Sequence, residues 1–309
     1  MNVGIVDIGT NTILLLVAQI DEAGRITPLV YEQRTPRLGK GVDARRELRA
    51  DAIQRALAVL GEYKEMMSGV QLSGVVVAGT SALRDARNGD EFAELVKKTI
   101  GCELEILSGE EEAFWTYKGA VSGIPVIGQA CVIDVGGGST ELTLGNALTI
   151  NSTRSLDLGA VRLTERYFHH DPPTPTELWY ATGHIREQLA ALDGVHLGSP
   201  TVIAVAGTAT SLAMLDQGIR RFHLQAVTNY VLRQHAVETL LRQLCDMPSL
   251  HIADLSAIMD GRSDVITAGT LILREIMSYF GFSQVIVSER GVRYGLALRE
   301  WEKQKRGAP

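Results

Sequence analysis

Val132–Gly145 reads VIDVGGGSTELTLG. An apolar run of strand type carries one carboxylate, Asp134. Three glycines and two hydroxyls follow, and apolar alternation resumes at Leu142 and Leu144. Two strands joined by a tight turn with accessible backbone are predicted. Gly136, Gly137 and Gly138 let the main chain approach a ligand with N–H groups facing it, and Ser139 and Thr140 add hydroxyl donors. Asp134 and Glu141 flank the turn with negative charge. Carboxylates beside an anion cradle repel the anion unless a cation lies between them. The stretch therefore reads as a phosphate site shared with a divalent metal.

The pattern recurs in Val3–Ile20, VGIVDIGTNTILLLVAQI, with Asp7 inside an apolar strand, then Gly9, Thr10, Asn11 and Thr12, then a second apolar strand. Asp7 and Asp134 are 127 residues apart, which predicts two similar halves. One Asp-x-Gly turn is usually only a hairpin, but two behind buried-type strands are hard to assign to chance. A third strand, Thr201–Ala206, runs into Gly207, Thr208, Ala209, Thr210 and Ser211. That turn fits a nucleotide or phosphate-chain contact and a plain strand-to-helix turn equally well.

At 309 residues the chain can hold two domains with substantial cores. The segment SGIPVIG, ending at Gly128, marks the boundary. Domain I is expected over 1–124 and domain II over 125–309, with a terminal helix at about 297–309 able to pack back on domain I. A net charge of −6 argues against DNA or membrane-surface binding. A polyanionic substrate stays open, because a metal and local basic residues offset that charge. Cys102, Cys131 and Cys245 are too far apart for a metal motif and read as buried thiols in a reducing cytosol. The first apolar run has no basic flank and contains Asp7, so it reads as a core strand and not a signal peptide. Other apolar runs are too short to span a bilayer.

Further along domain I, Arg34–Arg49 collects Arg34, Arg37, Lys40, Arg45, Arg46 and Arg49, either as a solvated loop or as a face for a polyanion. Gly74–Ala78 is a short strand leading into GTSALRDARNG, which sets Thr80, Ser81 and Arg84 just past the strand's end, where α/β sheets carry ligand groups. Arg84 has the planar fork for a phosphate. SGEEEAFWTYKGAV, Ser108–Val121, is a loop and helix with three consecutive carboxylates. Successive helix residues turn by about 100°, so at most one points squarely into a site. That one would be a general base, and the bland reading has all three complementing the helix dipole. In domain II, His169–Pro173 is a solvated loop. Thr174, Pro175 and Glu177 form a capping-box signature. Arg262–Phe280 is a helix with Ser263 as its expected N-cap.

The motifs VDIGTNT, GTSALRDA, SGEEEA, VIDVGGGSTEL, LGAVRLTE, VAGTATSL and SERGVRYG follow one another along nearly the whole chain. In that order they resemble the exopolyphosphatase / guanosine pentaphosphate phosphohydrolase (Ppx/GppA) family, within the actin, sugar-kinase and Hsp70-type ATPase superfamily. The resemblance implies an α/β fold of two actin-like (ribonuclease H-like) domains with an interdomain cleft. It implies hydrolysis of a terminal phosphoanhydride assisted by Mg2+. Phosphate contacts are implied at Gly9, Thr10, Asn11 and Thr12, at Arg84, and at Gly136, Gly137, Gly138, Ser139 and Thr140, with Gly207 and Thr208 added from the third turn. The catalytic glutamate falls in SGEEEA and maps to Glu112, with Glu111 in reserve. The metal-associated carboxylates map to Asp7, Asp134 and Glu141. Two positions depart from the family pattern: Thr10 stands where many members have serine, and Tyr294 replaces a commonly acidic residue. Longer members carry a further C-terminal helical domain, and the resemblance here covers two domains only, so no such domain is expected.

The expected activity is therefore a cytoplasmic exopolyphosphatase acting on short inorganic polyphosphate. Guanosine pentaphosphate hydrolysis, a kinase of the same superfamily and a non-enzymatic alarmone or polyphosphate sensor are the competing readings. Dimerisation would extend a substrate groove, so a homodimer stays open.

Overall fold

The structure, a computed structural model, describes residues 1–192, 198 and 200–307. The chain forms two compact units, Met1–Ser122 together with residues from Arg290 onward, and Gly123–Glu289. The second unit thus closes at Glu289 and does not run on to 309. The returning helix, Val292–Gly307, starts earlier than the expected 297. Residues 308 and 309 lie outside the described ones.

The first unit is built on β1 (Asn2–Ile8), β2 (Ile13–Ile20), β3 (Ile26–Arg34), β4 (Gly74–Gly79) and β5 (Leu104–Ile106), in the order β3-β2-β1-β4-β5. β1, β2 and β3 are antiparallel, and β4 and β5 continue parallel to β1. β1 and β2 are buried along almost their whole length because helices cover both sheet faces. One face is filled by helix Ala50–Ser68 through Ala52, Ala56, Leu60, Tyr63 and Met67, a three-to-four-residue spacing, and by Phe92 and Val96 of helix Gly89–Ile100. Val292, Tyr294, Leu296 and Ala297 of the returning helix pack with Val3, Ile5, Leu16 and Ala18 in a separate cluster. That helix lies directly on helix Gly109–Val121. A Cβ at Gly295 would fall 1.9 Å from the Trp115 carbonyl oxygen, so only glycine permits the approach.

The second unit repeats the plan with β6 (Gln129–Val135), β7 (Thr140–Asn146), β8 (Ile150–Leu156), β9 (Thr201–Val205), β10 (Tyr230–Arg233) and β11 (Gln284–Val287). Its order is β10-β11-β9-β6-β7-β8. β6, β7 and β8 are antiparallel, β9 and β11 extend the sheet in parallel, and β10 closes the edge antiparallel to β11. The repeat holds in register as well as in order. Asp7 pairs with Leu14 and Ala78, while Asp134 pairs with Glu141 and Val205, every equivalent position being 127 residues on. This is the actin-like, ribonuclease H-like topology present twice. Helix Ile266–Phe280, buried for most of its length, is the centre of the second core.

Local signals held where one residue suffices to set them. Thr174 Oγ1 accepts from Glu177 N, and Glu177 Oε2 accepts from Thr174 N at 2.8 Å. Ser263 is not an N-cap: the helix starts at Ile266, and Ser263 belongs to the preceding turn, donating its N–H to the Met259 carbonyl. The basic stretch is not one loop, since it holds the end of β3 and a short helix, Val42–Arg45. Cys131 is buried, Cys102 and Cys245 are half-buried, and all three thiols are free. No helix among the described residues is long and apolar enough to cross a membrane.

Candidate active site

In the first unit, the β1–β2 turn, the helix after β4 and the N-terminal turn of helix Gly109–Val121 supply the site. Asp7 is the penultimate residue of β1. The turn after it is closed by Gly9 N donating to the Thr12 carbonyl at 3.0 Å. The carbonyls of Thr10 and Asn11 accept from Gly39 N (2.7 Å) and Arg37 N (3.0 Å). A trans peptide sets its N–H opposite its C=O, so the N–H groups of Asn11 and Thr12 point away from segment 37–39.

The three carboxylates of SGEEEA have separate fates. Glu111 closes a capping box with Ser108 and is exposed; those hydrogen bonds hold its carboxyl below the usual range. Glu110 is exposed. Glu112 turns inward, its side chain 12 % exposed, and Arg84 Nη1 donates to its Oε2 at 2.7 Å and to the Leu107 carbonyl at 2.8 Å. Burial pushes Glu112 above the usual carboxylate range, opposed by Arg84 and by the Thr80 side chain.

Burial, and then the neighbouring Glu112 carboxylate, push Asp7 up to about 7, with Arg293 opposing. Asp7 Oδ1 is buried and has no hydrogen-bond partner among the described residues. Arg293 is itself buried, donates from Nη1 to the Leu15 carbonyl at 3.2 Å and stacks on Tyr31 at 4.3 Å. It arrives from the returning helix, inside SERGVRYG, and was not among the residues expected here. Tyr294 beside it is wholly buried, with the Arg290 guanidinium 5.0 Å from its ring centroid.

In the second unit, Gly136 N donates to the Ser139 carbonyl at 3.0 Å, the same closure as in the first turn. The loop carbonyls are all engaged from one side. Gly136 O accepts from Ala160 N, Gly137 O from Val161 N and Arg162 N, and Gly138 O from Arg162 Nε at 2.7 Å. The N–H groups of Gly137, Gly138 and Ser139 therefore point the other way, away from helix Ala160–Tyr167. Gly159 makes this packing feasible, since a Cβ there would lie 2.4 Å from the Gly137 carbonyl oxygen. Arg162, from LGAVRLTE, is buried by this role and was also unforeseen. Thr140 Oγ1 donates to the Leu158 carbonyl at 2.5 Å, so its hydroxyl braces the loop.

Asp134 and Glu141 are directly opposed across β6 and β7, both buried, and Ser155 donates to Glu141 Oε1 at 2.8 Å. Like charges opposed in this way repel, and a cation would relieve them. The third turn packs within the second unit. Thr208 Oγ1 donates to the Val135 carbonyl at 3.3 Å, and the Arg262 guanidinium lies against Gly207 while reaching Ser211 Oγ. Thus Asp7, the first turn, Arg84 and Glu112 come together in one unit, and Asp134, Glu141, the glycine loop, Gly207 and Thr208 in the other.

The sequence model of the Ppx/GppA phosphatase family matches residues 16–304. The chain belongs to the Ppx/GppA phosphatase family. Exopolyphosphatase 2 of Mycobacterium tuberculosis is 35 % identical, over 96 % of this chain and 97 % of the relative. A crystal structure of the Aquifex aeolicus Ppx/GppA family member aligns with a TM-score of 0.83 at 30 % identity, covering 98 % of each chain. A structure of an exopolyphosphatase from Cytophaga hutchinsonii aligns with a TM-score of 0.91 at 25 % identity, again over 98 % of each. Membership in this phosphatase family makes the chain a phosphoanhydride hydrolase.

Among the described residues no three His, Cys, Asp or Glu side chains gather as a complete metal cage. An Mg2+ ion needs only one or two protein carboxylates. Asp7 fits the need best, because its buried Oδ1 lacks any other partner.

Proposed function

We propose that the chain is an exopolyphosphatase that hydrolyses the terminal phosphoanhydride of inorganic polyphosphate and releases phosphate. The observation that carries this reading is the pairing of Glu112 with Arg84 beside Asp7, directly behind a turn whose N–H groups are turned outward. The near-full-length relatives named as exopolyphosphatases support the choice of substrate.

Arg84 and the turn amides hold the terminal phosphoryl group, and Arg84 leaves Glu112 as it does so. Glu112 then takes a proton from a water placed for in-line attack on phosphorus. Burial of Glu112 raises its basicity, which suits that task. Asp7 would hold Mg2+, and the ion would neutralise charge on the phosphate oxygens; within the second unit, Asp134 and Glu141 are the carboxylates that would suit a cation. Glu112 is the better base than Glu111 because Glu111 is held by its capping box. A cytoplasmic location agrees with the three free thiols. The test is phosphate release from short polyphosphate, long polyphosphate and guanosine pentaphosphate, side by side, with and without Mg2+. Release from guanosine pentaphosphate alone would overturn the reading.

A further inference from the structure

The glycine loop of the second unit is backed by the start of a helix. Gly136 O accepts from Ala160 N at 2.9 Å, and Gly137 O accepts from Val161 N at 2.8 Å and Arg162 N at 3.2 Å. Ala160, Val161 and Arg162 open helix Ala160–Tyr167, and the first N–H groups of a helix have no partner inside it. Here they are aimed at the loop carbonyls. The positive end of the helix therefore reaches an anion only through the loop peptides.

Arg162 adds a charged donor to this backing. Its side chain is buried, and Nε donates to Gly138 O at 2.7 Å. Asp157 Oδ1, on a mostly exposed side chain, lies 3.9 Å from Nη2. Burying a guanidinium is costly, and a neutral donor would satisfy one carbonyl as well. A neutral donor would not polarise the peptide to the same degree. The charge-assisted bond draws electron density toward Gly138 O, and the N–H of that same peptide, which belongs to Ser139, becomes the stronger donor. Three consecutive peptides are thus met from behind, with the N–H groups of Gly137, Gly138 and Ser139 on the far side. The first unit's turn is backed differently: Thr10 O and Asn11 O accept from Gly39 N and Arg37 N, which lie in no helix.

We propose that Arg162 is a positioning residue for phosphate binding, holding and polarising the glycine-loop peptides so that their N–H groups form an anion hole of fixed geometry. It touches no substrate and acts through the Gly138–Ser139 peptide. This rests on the reading that the loop holds substrate phosphate.

The test compares Arg162→Met, which keeps the apolar stem and removes the charge, with Arg162→Lys, which keeps the charge and loses Nε. Leu189→Ala, a truncation in the same unit's core, controls for lost stability. Phosphate release from tripolyphosphate with Mg2+ gives KM and kcat. Arg162→Met should raise KM about tenfold, with kcat lowered less than threefold, and Arg162→Lys should fall between it and wild type. Leu189→Ala should unfold at lower urea and keep its KM. A KM for Arg162→Met within twofold of wild type would overturn the proposal, and so would an equal KM rise in Leu189→Ala, which would make the effect one of stability alone. If Arg162→Met fails to fold, the KM of Arg162→Lys against that of Leu189→Ala decides. Isothermal titration of tripolyphosphate into Glu112→Gln protein, with and without Arg162→Met, separates the two claims. No binding to Glu112→Gln alone overturns the phosphate reading of the loop, whereas binding indifferent to Arg162→Met overturns only the role of Arg162.

Discussion

Asp7→Asn should stabilise the metal-free protein while destroying its Mg2+ response. Burial and Glu112 raise the Asp7 carboxyl from 3.8 to about 7. The folded state therefore holds a proton that the unfolded chain has released, and stability falls as pH rises from about 4 to about 7, then levels off. At about 1.36 kcal/mol per unit, the full penalty is on the order of 4 kcal/mol, a ceiling that local relaxation lowers. An amide carries no such charge, so the variant's advantage should be near zero at pH 4, widen through pH 7 and reach a few kcal/mol at pH 8. Urea unfolding in EDTA, followed by tryptophan fluorescence at several pH values, measures the gap; Trp115 and Trp301 both report on the first unit. Saturating Mg2+, at about 100 times its dissociation constant, should return about 2.7 kcal/mol to the wild type and nothing to the variant. A gap that stays flat across this range, or a variant less stable than wild type at pH 8, would refute the account of Asp7.

Three further outcomes follow from the same geometry. Glu112→Gln should lower kcat by about a hundredfold, whereas Glu111→Gln keeps an acceptor for the Ser108 capping box and should leave both stability and turnover near wild type; equal kinetic losses in the two would sink the assignment of the base. Gly159→Ala drives a methyl into the Gly137 carbonyl, and should cost about 1–3 kcal/mol and raise KM for polyphosphate. Ala206 sits at φ 67° at the head of its helix, where L-residues are strained by about 1–2 kcal/mol, so Ala206→Gly should raise the unfolding midpoint in urea, and a fall would contradict the strain.

The parts of this molecule visible in its sequence are those set by neighbours along the chain. Asp7 and Asp134 each sit in a continuous apolar run before a glycine turn, and those local patterns carried the two sheets and their 127-residue offset. Ser108 with Glu111 and Thr174 with Glu177 are three-residue devices, legible for the same reason. Glu112 could be separated from Glu111 only partly, by motif position, because the sequence does not say which carboxylate is taken up by a cap. Arg293 and Arg162 were missed because their partners are set by tertiary contact: Arg293 reaches the Leu15 carbonyl 278 residues away, and Arg162 reaches Gly138 from 24 residues on. Strand β10 was hidden too, because Tyr230–Arg233 is four residues long with a single fully buried position. Ser263 misled because a good capping residue is not a cap unless the helix starts beside it.

The helix Val292–Gly307 gives the first unit an awkward birth. During synthesis β1 and β2 leave the ribosome early, but the side chains that cover Val3, Ile5 and Leu16 are translated only after the whole second unit. Until then an apolar sheet surface is bare, and Asp7 lacks the guanidinium that tempers it. The second unit is thus an insertion that can mature first, while the lobe bearing the base is completed last. A nascent chain stalled before residue 290 would be a natural client for chaperones, and it would be catalytically silent.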